Sequence, residues 1–219
     1  MINQITLENM LPRVFDGQQD RSPVKDSHIW LREVSFKKGV DYLVYAESGT
    51  GKSSMCAYIY GSRRDFSGRV LFDGVDSSTF PIERWAELRR VSLAYLPQDM
   101  RLFPELTAME NIMIKNRLTD YFSQADILQM MDQLEIAHKA DVPARLLSIG
   151  QQQRVAIIRA LAQPFDFLLL DEPVSHLDAR NNEMVATMIT NHAERQHAAI
   201  IATSVGNHIA IDANKIFKL

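Results

Sequence analysis

One cysteine in 219 residues, Cys56, rules out an internal disulfide. No stretch approaches the roughly 18 apolar residues that a membrane-spanning helix needs, and the strongest run is only Phe167-Leu168-Leu169-Leu170. Basic residues are not in excess, with 24 Lys and Arg against 27 Asp and Glu for a net charge of -3. Such a chain has no global field to gather nucleic acid, and DNA binding is not expected as a primary role. The opening residues lack the charged start and apolar run of a signal peptide, so a cytosolic, reducing setting is expected. Any membrane role must then come through a partner. Repeats and low-complexity segments are also missing. What is present is ordinary for a globular protein, 46% hydrophobic and 23% charged, at a length that suits one α/β domain.

The first third reads as β-rich, with strands expected over Ile2 to Leu7, Ile29 to Phe36 and Tyr42 to Tyr45, and an exposed loop over the polar stretch Asp16 to Ser27. A breaker-free segment from Ser53 to Tyr60 predicts a helix after the third strand. Gly61, Gly68 and Gly74 punctuate a further β region. Between about Asn111 and Gln163 the apolar spacing becomes helical, with Ile127, Leu128, Met131 and Leu134 on one face and Val155, Ile158 and Leu161 on another. Two short apolar runs, Phe167 to Leu170 and Ala198 to Ala202, bracket a helical stretch from Ala179 to Glu194, the pattern of a buried parallel sheet.

Ser48-Gly49-Thr50-Gly51-Lys52-Ser53 follows an expected strand and opens an expected helix, the context of a phosphate-binding loop. Glycines let the backbone wrap a polyphosphate, the helix N-terminus points amides at its oxygens, and Lys52 adds positive charge. The Ser53 hydroxyl can ligate magnesium, and Ser54 can add a further phosphate hydrogen bond. Ala46 stands where such loops usually carry their first glycine, so the turn there must accept a Cβ. Downstream, Phe167 to Leu170 delivers Asp171 and Glu172 to a strand end, where doubly wound sheets present their ligands. Neighbouring strand residues point in different directions. One carboxylate, Asp171, can therefore organise a metal while Glu172 faces the water that attacks a terminal phosphate.

Leu147-Ser148-Ile149-Gly150-Gln151-Gln152-Gln153-Arg154 precedes the acidic strand, Ser175-His176-Leu177-Asp178 follows it, and Leu96-Pro97-Gln98 lies before both. This order resembles the ABC ATPase family over nearly the whole chain. The resemblance implies a P-loop NTPase core with a mostly parallel sheet, an N-terminal antiparallel β region and an inserted helical subdomain at about residues 99 to 163, all in one domain over 1 to 219. It implies two Mg-ATP molecules sandwiched in a homodimer or heterodimer, with Ser148, Gly150 and Gln151 of one copy reaching the nucleotide held by the other. Gly150 opens an amphipathic helix whose N-terminus suits an anion, although Ser-x-Gly can also be a plain helix cap. Gln98 would sense the metal and the attacking water, and Asp178 would cross the interface, cap a helix, or do both. Phe15 is the aromatic best placed to stack on adenine, with a core role equally open.

In this family a histidine usually follows the last apolar run, and here Ser204 stands in its place. Serine donates a hydrogen bond but carries no imidazolium charge, so slower hydrolysis is expected, relieved by Ser204→His. His208 could stand in only if the chain turned back. Ile149 replaces a common glycine in the signature, and binding is expected to survive it. The resemblance further implies an integral membrane permease as partner and a place at the inner face of the membrane. Leu102 and Phe103, after Gln98, are candidates to receive it. The segment Leu102 to Asn111 is similar to the lipoprotein-release, macrolide-export and cell-division group. A dimerisation switch that binds ATP without hydrolysing it, and a soluble ABC protein outside transport, are the rival readings. Trp85 with Leu88, Met184 with Met188, and Cys56 read as packing residues, and His138, His192 and His197 as surface residues.

Overall fold

The computed structural model describes residues 1–206 and 208–219. Its first layer is an antiparallel sheet in the order β2 (Glu33–Lys37), β1 (Gln4–Pro12), β4 (Phe66–Phe72) and β5 (Val75–Asp76). The second is a parallel sheet in the order β6 (Leu93–Leu96), β7 (Phe167–Asp171), β8 (Ala199–Ser204), β3 (Tyr42–Tyr45) and β9 (Lys215–Lys218). Helices α1 (Lys52–Ile59) and α2 (Ile82–Val91) connect the two sheets' strands. Three helices, α3 (Ala108–Asn116), α4 (Gln124–Gln133) and α5 (Ile149–Leu161), are inserted between β6 and β7, and α6 (Ala179–Arg195) joins β7 to β8.

The side-chain alternation of the central strands divides the core in two. Leu168, Leu170, Ile200 and Ala202 face the inserted helices and α6, whereas Phe167, Leu169, Ala199 and Ile201 face α1 and the antiparallel sheet. Both faces are covered, which is why β7 reads as a continuous apolar run rather than an alternating one. Burying each Leu, Ile or Phe among them contributes about 1.5–3 kcal/mol. The inserted helices start at capping boxes, Thr107 with Glu110 and Ser123 with Asp126, which close their first turns in an otherwise polar segment.

Four expectations are corrected. Ile29 to Arg32 is not strand: the Ser27 hydroxyl accepts the amides of Ile29 and Trp30 at 2.9 and 2.8 Å, and this turn delays β2 to Glu33. The Asp16 to Ser27 loop is not wholly exposed, because Val24 and Ser27 are buried. Leu128 points outward, 39% exposed, while Ile127, Met131 and Leu134 fill the core. His192 is half-buried, its ring edge-on to Phe122 at 5.5 Å between centroids, and burial lowers its pKa.

Candidate active site

The residues singled out for chemistry gather at the C-terminal edge of the parallel sheet. Register pairs Tyr45 with Ser204 and Asp171 with Thr203, so β3, β7 and β8 finish side by side. From Tyr45 the chain enters the phosphate loop. Ala46 is not among the residues with positive φ, so its Cβ costs nothing there, and its amide donates to the Ser204 carbonyl at 3.2 Å. Gly49 (φ 84°) and Gly51 (φ 100°) are the two turns that need glycine. Among the described residues nothing lies within 4 Å of a Cβ built on Gly49, leaving the open side of the loop clear for a polyphosphate.

Gly51 is closed from the other side. A Cβ there would meet the Trp30 ring at 2.9 Å and the Phe15 ring at 3.4 Å. The Trp30 indole N–H donates to the Thr50 carbonyl at 3.0 Å, and the Thr50 hydroxyl donates to the Glu47 carbonyl at 3.0 Å. The loop is thus pinned from beneath by a buried indole. No motif pointed to Trp30, because the residue lies inside a stretch that reads as strand. Phe15, 7% exposed, belongs to the same packing, and neighbouring Val14 is the residue that looks outward at 70% exposure. Of the two roles open for Phe15, this burial supports the core one.

Lys52 is buried, and its ammonium donates to the Glu47 carbonyl at 2.7 Å and the Ala46 carbonyl at 3.4 Å, with Glu172 at 3.8 Å. Burial lowers its pKa, and the charges of Glu172 and Asp171 oppose that shift. Asp171 is buried as well and accepts the Thr203 hydroxyl at 2.8 Å. Glu172 adopts φ 51°, a left-handed conformation that costs a non-glycine residue on the order of 1 kcal/mol. This turn sends the two adjacent carboxylates in different directions. The Gln98 amide donates to Glu172 at 3.1 Å, and the Glu172 amide donates to the Thr203 hydroxyl at 3.3 Å. Gln153 reaches from α5 to the Glu172 carbonyl at 3.4 Å and accepts the His176 amide at 3.2 Å.

Ser53, Gln98 and Asp171 line one cavity of about 310 Å³, next to Tyr95 and Asp99. A hydroxyl, an amide oxygen and a carboxylate are the hard donors that magnesium takes together with phosphate oxygens, so these residues fit that ion. Ser54 differs from its expected role in one respect, since its hydroxyl is engaged by the Arg63 guanidinium at 2.9 Å.

The signature residues lie apart. Ser148 caps α5, accepting the Gln151 amide at 3.3 Å while the Gln151 side chain accepts the Ser148 amide at 3.0 Å. A Cβ on Gly150 would touch the His176 carbonyl at 3.4 Å, so the Ser175 to Asp178 loop packs closely behind it. Asp178 caps α6 through the Asn181 amide at 2.8 Å, and that hydrogen bond holds its pKa below the usual carboxylate value. Among the described residues, no hydrogen bond or ion pair joins Ser148, Gln151 or Asp178 to Lys52 or Glu172 of the same chain.

The sheet order, the loop between β3 and α1 and the acidic end of β7 define a P-loop NTPase of the ABC ATPase fold. The ABC transporter family model matches residues 32–175, and the chain belongs to this family as an ATPase cassette. It is 25% identical over 219 residues to the lipoprotein-releasing system ATP-binding protein LolD of Francisella tularensis, covering 98% of this chain and 93% of that one. It is 35% identical over 162 residues to the molybdate/tungstate import ATP-binding protein WtpC of Pyrococcus abyssi, covering 72% of this chain and 45% of the relative. A third relative, the macrolide export ATP-binding/permease protein MacB of Campylobacter jejuni, is 30% identical over 191 residues, which are 85% of this chain and 29% of MacB. The chain thus spans under half the length of WtpC and MacB and nearly all of LolD. The fold is shared with the dimeric structure of the ATP-binding cassette MJ0796 bound to ADP and Pi, at a TM-score of 0.79 and 23% identity, covering 98% of this chain and 94% of that one.

Proposed function

We propose that this chain binds Mg-ATP between the phosphate loop of one copy and Ser148, Gly150 and Gln151 of a second, hydrolyses it, and works on an integral membrane permease from the cytoplasmic face. The observation that carries this reading is the convergence of Lys52, Asp171, Glu172 and Gln98 at one sheet edge beside an open glycine loop. Glu172 takes a proton from water, the water oxygen attacks the terminal phosphorus, and the bond to the leaving ADP oxygen breaks. Lys52 and the loop amides carry the phosphate charge, and Gln98 orients the water together with Glu172. Magnesium would be held by Ser53, Asp171 and Gln98 and would neutralise charge on the phosphates.

In this reading the permease docks at the groove beside Pro97. Tyr60, Tyr95, Arg101, Ile114, Lys115 and Arg159 line a groove of about 230 Å³, and Phe103 stands 53% exposed in the segment that follows Gln98. Leu102 instead packs partly against the core. Burial, then Arg159 and Arg89, push the Lys115 ammonium down to about 8. Among the described residues no helix is long and apolar enough to cross a membrane. Ser204 at the usual histidine position favours a second reading, an ATP-driven dimerisation switch with little hydrolysis.

Phosphate release with Mg-ATP, compared with Glu172→Gln, separates the two. Turnover that collapses in the variant supports the enzyme, and ATP binding with no turnover in either supports the switch. Co-purification with an integral membrane protein tests the permease, and its absence favours a soluble, non-transport ATPase.

A further inference from the structure

Arg154 stands one turn after Gly150 on α5 and is half-buried where three segments meet. Its guanidinium donates to the Gly150 carbonyl at 3.3 Å, to the Leu134 carbonyl at the end of α4 at 2.9 Å, and to the Asn181 side-chain oxygen in the first turn of α6 at 2.9 Å. Asn181 passes the contact on. Its side-chain amide nitrogen donates to both oxygens of the exposed Asp178, at 2.9 and 3.0 Å, and its backbone amide donates to one of them at 2.8 Å. A second tie runs alongside, the ion pair between Arg180 of α6 and Glu135 next to Leu134.

An amide side chain has a donor end and an acceptor end. A cation on one side and a carboxylate on the other leave Asn181 a single orientation, oxygen toward Arg154 and nitrogen toward Asp178. The guanidinium then polarises the amide and strengthens its donation to the carboxylate. One charged side chain therefore grips the start of the signature helix directly and the Asp178 carboxylate through a relay. We propose that Arg154 and Asn181 are positioning residues for the site completed on the other copy, joining the signature turn and the Ser175 to Asp178 loop so that they meet that copy's nucleotide as one edge. This deepens the Mg-ATP reading and rests on it. Neither residue touches the nucleotide in this arrangement, so both act by fixing the geometry of Gly150 and Asp178.

The test measures ADP affinity, kcat and KM with Mg-ATP for the full chain, Arg154→Ala, Asn181→Leu, Asn181→Asp and the Arg154→Ala/Asn181→Leu double variant. Each single change should lower kcat about tenfold, within what a small misplacement costs, with ADP affinity unchanged because the phosphate loop is built without them. The double variant should be no worse than the weaker of its two parents, since the residues act as a unit. Asn181→Asp keeps an acceptor for Arg154 but sets a second carboxylate against Asp178, and it should lose as much as Asn181→Leu. Arg154→Ala protein mixed with Lys52→Ala protein should regain turnover, because one site of the mixed pair then has an intact loop and an intact edge. A chain that is merely destabilised would not be rescued this way. Additive losses, ADP affinity falling in step with kcat, Asn181→Leu at unaltered kcat, or no recovery on mixing each overturn the positioning role while the ATP reading stands. Failure of the unaltered chain to bind and turn over Mg-ATP overturns both together.

Discussion

The phosphate-loop rim and the signature rim use the same device, backbone amides at a helix start, and finish it differently. At the loop, Lys52 is buried and already held by two carbonyls and a carboxylate, and Trp30 supports the turn from the core. At the signature, Ser148 is exposed, and among the described residues its hydroxyl and amide are tied to its own first turn. One rim is preorganised within a single chain. The other, among the described residues, is an exposed helix start, and under the function proposed above it would work on another copy's ligand.

The largest effect should come from Glu172→Gln, which cuts turnover about 10²–10⁴-fold with ADP binding intact. Comparable loss of ADP binding would mean that the loop rim is not preorganised independently of its carboxylate. Trp30→Ala should lower unfolding free energy by about 3–5 kcal/mol and weaken ADP binding, read by thermal melts with and without nucleotide. Trp30→Phe, which keeps the ring but removes the hydrogen bond to Thr50, should cost about 1 kcal/mol. Equal costs for the two would show that the hydrogen bond rather than the packing supports the loop. Ser148→Ala should be the mildest for stability, about 1 kcal/mol of helix capping, yet abolish ATP-dependent dimers in size-exclusion chromatography. Mixing Ser148→Ala with Lys52→Ala protein should restore turnover, because a mixed pair regains one intact site. No restoration would break the contrast between the rims.

The loop and the acidic strand were legible because their chemistry depends on residues adjacent in sequence, and their spacing alone dictates backbone direction. The turn from Ser27 to Arg32 was not, since its apolar residues look like strand and the serine that breaks the pairing acts through a side-chain hydrogen bond. Thr203 gave no signal either: its hydroxyl meets Asp171 only after two strands separated by a helix pair in register. His208 was legible as a residue but not as a neighbour of Ser204, whose hydroxyl oxygen lies 2.6 Å from its Nδ1, because its carbonyl is held by the Asn182 amide, 26 positions away in the sequence. The Phe15 alternatives were separable only by burial, which spacing does not report.

Cys56 sits on the first helix after the loop, wholly enclosed, and burial followed by the Asp171 charge raises its thiol pKa well above the ordinary value. A thiol that is both covered and protonated is silent toward maleimides and spin labels while the fold is intact. Cysteines placed at exposed positions beside Ser148 and Ser48 would therefore be the only reactive ones in the molecule. Without removing a native residue, the approach and separation of the two rims could be followed by distance spectroscopy through a full cycle of nucleotide.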